Sequence, residues 1–310
     1  MTDAATGAAP RVTVLASVNM DLVGTAAHLP RAGETVLGDG FAMIPGGKGA
    51  NQAVAAARAG AACTAIAAVG DDAFASPLLD GLAAAGVDTA LVRTAPGPSG
   101  VALIAVDTAG ENQILVASGA NATLTDLTDA ETAAITAADA LVCQLETPMP
   151  AVVAAARAAH RAQVRVIVNA APARDLPDEL REAIDLLIVN RGEAEQIAGA
   201  PEAATEDLLD ALVALVPRVV VTLGAGGAVY ADRDGARIEV AAPVIEAVDT
   251  TAAGDAFVGA LTVAWLEDRG IADALRWACA AGAACATAFG AASSLPERAA
   301  IDEMYDRSAP

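Results

Sequence analysis

Val248-Asp249-Thr250-Thr251-Ala252-Ala253-Gly254-Asp255-Ala256-Phe257 runs from small residues into an apolar stretch, with one carboxylate at the junction. In a helix starting there, the first N–H groups lack helical partners, and the dipole places about half a positive charge at that end. Ala252, Ala253 and Gly254 carry little side chain to obstruct an anion, so backbone alone can hold a phosphate. Asp255 follows at once and can take the proton of a hydroxyl attacking phosphorus, which is what phosphoryl transfer asks of a base. Taken alone, the same acid reads equally as a helix-start residue favoured by the dipole.

A second run, Ile44-Pro45-Gly46-Gly47-Lys48-Gly49-Ala50-Asn51-Gln52, has three glycines in four positions, which lets a ligand approach the backbone closely. It is not a Walker A loop: that pattern needs glycine at 42 and Ser or Thr at 49, where Ala42 and Gly49 stand. Asn51 can both donate to and accept from sugar hydroxyls, although a helix N-terminal turn explains the run as well. In Ser17-Val18-Asn19-Met20-Asp21, Asn19 and Asp21 share one strand face and suit vicinal hydroxyls, or form an Asx turn. Gln144-Leu145-Glu146 ends a strand with a carboxylate. Asn190 and Glu193 stand at i and i+3, able to order a magnesium–phosphate shell or simply to start a surface helix. Thr222-Leu223-Gly224-Ala225-Gly226-Gly227 fails the dinucleotide pattern because Val229 occupies its last position. It can still bend beneath a nucleotide, or be a plain turn.

The elements that must position these groups alternate. Strands are expected at Val12–Val18, Thr64–Val69, Leu141–Leu145, Val164–Val168, Leu186–Val189 and Val219–Leu223. Helices are expected at Asn51–Ala59, Pro77–Ala85, Met149–Arg161, Glu193–Ala198, Asp207–Leu215, Gly254–Asp268 and Ile271–Phe289. That alternation predicts an α/β, doubly wound fold: a mainly parallel central sheet with helices on both faces and its site at the strands' carboxyl ends. Two stretches, about 21–44 and 100–116, break the pattern with short strands and turns and read as a small β-sheet lid inserted in one domain spanning 1–310.

A net charge of −21 repels nucleic acid and anionic lipid, so neither is an expected partner. Cys63, Cys143, Cys279 and Cys285 form no C-x-x-C pair and sit in apolar runs, as in a reducing, cytoplasmic compartment. The polar stretch 1–10 lacks the basic and apolar regions of a secretory signal. The apolar runs 256–266 and 272–288 are interrupted by polar or charged residues and read as core helices rather than membrane spans.

In chain order these pieces resemble the ribokinase (PfkB) family of carbohydrate kinases, from Val12 to about Pro296. The most specific blocks are Gly46-Gly47-Lys48-Gly49-Ala50-Asn51-Gln52 and Asp249 through Asp255; Gly110-Glu111-Asn112 and Ser118-Gly119-Ala120-Asn121 add to them. The resemblance implies ATP-dependent phosphorylation of the 5-hydroxyl of D-ribose, with another sugar or a nucleoside as the alternative acceptor. A non-catalytic sugar sensor on this fold would have lost the base or the anion hole, and both are present. By match to the motifs, Asp255 is the base and Ala252, Ala253 and Gly254 the anion hole. Asn19, Met20, Asp21, Gly46, Gly47, Lys48, Asn51 and Glu146 surround the sugar. Asn190, Thr222, Leu223, Gly224, Ala225, Gly226, Gly227 and Cys279 line the ATP site, with Glu193 near Mg²⁺. The resemblance further implies a potassium activator at Asp249, Thr251, Cys285, Ala288, Gly290 and Ser294, and a homodimer made through the lid. Departures are Ala170 in place of a common proline, Arg191-Gly192 after Asn190, and Cys279 where a polar residue is usual.

Overall fold

A computed structural model describes residues 8–308; residues 1–7, most of the stretch weighed as a secretory signal, lie outside the described residues, as do 309–310. The chain runs through β1 (Arg11–Leu15), β2 (Asn19–Ala26), β3 (Gly40–Gly46), α1 (Lys48–Ala59), β4 (Ala62–Val69), α2 (Ala75–Ala84), β5 (Asp88–Thr94), β6 (Gly100–Asp107) and β7 (Asn112–Ala117). It continues with α3 (Asp129–Ala137), β8 (Ala140–Cys143), α4 (Met149–Arg161), β9 (Arg165–Asn169), α5 (Asp178–Arg181), β10 (Leu186–Asn190), α6 (Arg191–Ala198) and α7 (Thr205–Leu215). Last come β11 (Arg218–Thr222), β12 (Ala228–Asp232), β13 (Arg237–Val240), α8 (Ala253–Leu266), α9 (Ile271–Ala286) and α10 (Arg298–Arg307).

Nine strands form one sheet in the order β13-β12-β11-β10-β9-β8-β1-β4-β5, all running one way except β12, which pairs antiparallel with both its neighbours near one edge. Strands buried on both faces must be apolar throughout, and β10, Leu186 to Val189, is fully buried. Successive residues feed opposite layers: Val14 packs with α1, α8 and α9 on one side, and Leu15 with α4 and α7 on the other. From β1 the chain winds one way to β4 and β5, then the other way from β8 onward. The switch point therefore lies between β1 and β8, where open α/β sheets place their ligands.

Alanine-rich helices let backbones approach. A Cβ on Gly49 would sit 2.3 Å from Ala16 Cα, so α1 starts directly on the end of β1. A Cβ on Gly259 would sit 2.5 Å from Ala55 Cβ, so α8 lies against α1 at a separation only glycine allows. Among the described residues no helix is long and apolar enough to cross a membrane. The two apolar runs are α8 and α9, buried for most of their lengths.

The two irregular stretches form a separate four-stranded sheet, β3-β2-β6-β7, wider than 21–44 and 100–116 by a few residues at its roots. It leaves the main sheet where β1 ends. β1 stops at Leu15 rather than Val18, because the buried turn Ala16-Ser17-Val18 gives its backbone to other partners: Ser17 O accepts Ala50 N–H and Val18 N–H goes to Asn121 Oδ1. α9 stops at Ala286, short of Phe289, because Ala286 O accepts the N–H groups of Val248 and Asp249.

Candidate active site

Asp255 occupies the first turn of α8, 8% exposed. Its two oxygens accept separate amide donors: Asn51 Nδ2 reaches Oδ2 at 3.0 Å, and Gln52 Nε2 reaches Oδ1 at 2.9 Å. Both donors come from α1, brought close by the Gly259–Ala55 contact. Burial raises the Asp255 pKa above the usual carboxylate range, opposed by Lys48, Gln52 and Asn51 and reinforced by Glu146. Ala252, just before the helix, holds a left-handed conformation at φ 60°, a strained geometry for a side-chain-bearing residue. It aims the loop at the cleft. Ala253 N–H is taken by Thr250 O, which leaves the first-turn N–H groups of Gly254 and Asp255 without helical partners; Gly254 is exposed and open on its side-chain side.

Asp21 and Glu146 face the same place. A Cβ on Gly46 would lie 2.3 Å from Asp21 Oδ2, so the glycine makes room for that carboxylate. Burial, then Glu146 and Asp255, push Asp21 up to about 7. Glu146 Oε2 accepts the Ser17 hydroxyl at 2.6 Å and Lys48 N–H at 3.2 Å. Lys48 is the first residue of α1; burial pulls its pKa down, but Asp255, Glu146 and Glu193 outweigh this and leave it raised. Three carboxylates thus act electrostatically on one ammonium.

Asn19 is buried and its Oδ1 accepts Asn121 Nδ2 at 2.8 Å. Met20 alternates to the other side of β2 and joins the apolar core, away from Asn19 and Asp21. Asn190 and Glu193 meet as a capping box: Asn190 Oδ1 accepts Glu193 N–H, and Glu193 Oε2 accepts Asn190 N–H, both at 2.8 Å. Burial raises the Glu193 carboxyl, Asn190 N–H and Lys48 lower it, and Asp255 raises it further. After Thr222, residues Gly224–Gly226 make one 3₁₀ turn closed by Leu223 N–H on Gly227 O; Gly224, Ala225 and Gly226 are exposed at its rim. Cys279 lies buried in α9, its thiol pushed up to about 12 by desolvation, and it presents almost no surface to the cleft.

Asp249 Oδ1 accepts Thr251 N–H, and its Oδ2 accepts Gly290 N–H at 3.0 Å. Ser294 Oγ donates to Gly290 O and Ala291 O and lies 3.2 Å from Cys285 Sγ, which reaches Thr251 O at 3.6 Å. Ala288 sits in the turn between, its N–H on Cys285 O. Carboxylate, carbonyl and hydroxyl oxygens therefore gather beside the Ala252 loop, a donor set of the hard kind alkali cations accept.

The motifs did not single out Ser17, Gln52, Asn121 or Asn169 for a role. All four are buried and polar, and their hydrogen-bond partners lie far from them in sequence. Buried polar types beside motif residues were the only signal available.

The profile of the pfkB family carbohydrate kinases matches residues 9–298. The chain is 39% identical to the ribokinase of Haemophilus influenzae over 303 residues, covering 96% of this chain and 99% of that one. It is 37% identical to the ribokinase of Schizosaccharomyces pombe, covering 95% and 98%. Its fold superimposes on the structure of Arabidopsis thaliana ribokinase complexed with ribose and ATP with a TM-score of 0.90, at 30% identity over 96% of this chain and 99% of that one. Fold, switch-point carboxylates and profile agree: the chain belongs to the pfkB family of carbohydrate kinases and is an ATP-dependent enzyme of that family.

Proposed function

We propose that the protein transfers the γ-phosphoryl group of ATP to the 5-hydroxyl of D-ribose, giving D-ribose 5-phosphate and ADP. The observation that carries this is the Asp255 carboxylate, buried at the head of α8 and held by two amides from α1, with Asp21 and Glu146 beside it. The Haemophilus influenzae and Schizosaccharomyces pombe relatives, matched over nearly their full length, are ribokinases, and the Arabidopsis thaliana ribokinase it superimposes on is complexed with ribose and ATP. The sugar O5–H bond breaks to Asp255, the O5–P bond forms, and the bond from the γ-phosphorus to the β-phosphate oxygen breaks, releasing ADP. Backbone at 252–254 receives the charge of the moving phosphoryl group. Asn19, Asp21, Gly46, Gly47, Asn51 and Glu146 hold the sugar hydroxyls. The 222–227 turn and Asn190 would border the nucleotide, and Glu193 would face a bound Mg²⁺, which would offset phosphate charge.

The oxygen cluster around Asp249 and Ser294 would hold a potassium ion, whose charge would stiffen the anion-hole loop. Two copies associate through the small sheet, which acts as a lid over the sugar; its exposed Phe41, Met43, Leu103 and Leu115 are the surface they share. Four free, buried cysteines suit the reducing cytoplasm.

The testing experiment is ADP release with ribose, deoxyribose, arabinose, fructose and adenosine, each with and without potassium. Ribose is expected to give the highest kcat/KM. A higher value for another sugar or for adenosine replaces the acceptor while leaving the kinase.

A further inference from the structure

Gln52 lies next to Asn51 on α1, and its side chain is committed at every polar position. Its two Nε2 hydrogens go to Asp255 Oδ1 at 2.9 Å and Asn169 Oδ1 at 2.8 Å; its Oε1 accepts Gln144 Nε2 at 2.6 Å. Asn169 in turn donates Nδ2 to Ile188 O at 3.0 Å. Gln144 follows β8, Asn169 ends β9 and Ile188 lies within β10, three adjacent strands of the main sheet, so the row runs sideways near its carboxyl edge. Turning the Gln52 carboxamide over would set its oxygen against a carboxylate and against Asn169 Oδ1, and its N–H groups against those of Gln144. Every member except Gln144 Oε1 is partnered, and every member is buried. A satisfied network in a low-dielectric interior is stiff.

We infer that Gln52 is the positioning residue of the base: locked by Gln144 and Asn169, it fixes the Asp255 carboxylate in orientation and favours its charged form. This rests on the reading of Asp255 as the base. A core-filling amide would serve packing only and would leave no trace in the protonation of Asp255. The charged and titratable groups around Asp255 are Lys48 from α1, Glu146 after β8, Asp21 from β2, Glu193 from α6 and Cys285 from α9. None hydrogen-bonds Gln52, so substituting Gln52 leaves them in place.

The test is the pH profile of kcat, with saturating sugar and ATP, for Gln52→Met, Asp255→Asn and the double variant. Gln52→Met is expected to lower kcat about 10-fold or more at neutral pH, as loss of a hydrogen bond to a charged group implies. Its acid limb should move to higher pH, its sugar KM should stay within about 3-fold, and it should add nothing in the Asp255→Asn background. An unmoved acid limb with normal kcat, or an undiminished further loss in that background, overturns the inference while the base stands. Near-normal turnover of Asp255→Asn removes the base and the inference with it. If circular dichroism shows Gln52→Met unfolded, Gln144→Met is measured instead, since it frees only the bond that orients Gln52. It should shift the same limb by less, and no shift overturns the inference.

Discussion

Asn51 gives its side-chain N–H to Asp255 Oδ2 at 3.0 Å, while its own Oδ1 is buried without a partner. A buried acceptor left unmade costs about 1–3 kcal/mol, which an incoming hydroxyl would relieve. Asn51→Leu should therefore raise the sugar KM roughly 5- to 150-fold, the range that penalty spans, and lower kcat as well by removing a donor from the base. Steady-state kinetics in sugar check this; an unchanged KM would leave that oxygen to a water molecule.

Asp255→Asn should cut turnover by about 10²-fold or more with sugar affinity nearly unchanged. Isothermal titration with the sugar separates binding from chemistry, and a variant that turns over normally would dismiss the carboxylate as base.

Asp21, pushed up to about 7, predicts opposite effects on affinity and stability. Its folded pKa lies above the unfolded value, so the folded state binds the proton more tightly. Ionisation opposes folding: the penalty is absent at acid pH, grows between about 4 and 7, and reaches at most ~4 kcal/mol above that. Asp21→Asn should raise the melting temperature at pH 8 but hardly at pH 4, while weakening the sugar. Wild-type sugar affinity should fall below about pH 7. Scanning calorimetry at both pH values checks the sign, and an equal gain at each would discard the titration.

The small sheet carries an apolar row on one face. The cross-strand register aligns Met43, Leu22, Leu103 and Leu115 across β3, β2, β6 and β7. Three of the four are exposed, a contiguous patch of the kind that marks an interface. Light scattering should report a dimer for the wild type and a monomer for Met43→Glu with Leu115→Glu. A wild-type monomer at micromolar concentration would rule out association through this sheet.

Exchanging potassium for tetramethylammonium should lower kcat and restore on back-exchange, because the oxygen cluster around Asp249 and Ser294 adjoins the strained Ala252. Indifference to the exchange would disqualify the cluster as a cation site.

Strands buried on both faces and helices closed by glycine were legible because each is written locally: β10 and β11 as unbroken apolar runs, α1 ending on Gly60 at φ 115°. The end of β1 was not, because Ala16, Ser17 and Val18 are as buried in the turn as the strand before them, and hydropathy cannot separate ladder from turn. α10 escaped because its sequence, RAAIDEMYDR, buries only Ile301 and Met304 and has little apolar face to detect. β5 is an edge strand, half-exposed, with weak alternation. Asp255, Asp21 and Glu146 were visible as acids at element ends. The Gln52 network was not, since its hydrogen bonds join residues 92 to 203 positions apart and exist only after the sheet is assembled.

Glycine on alanine leaves no compressible side-chain layer where α8 crosses α1. Base and amide donors therefore travel as one rigid block. The spacing between proton acceptor and donors is thus set by two residues, Gly259 and Ala55, that carry no chemistry of their own.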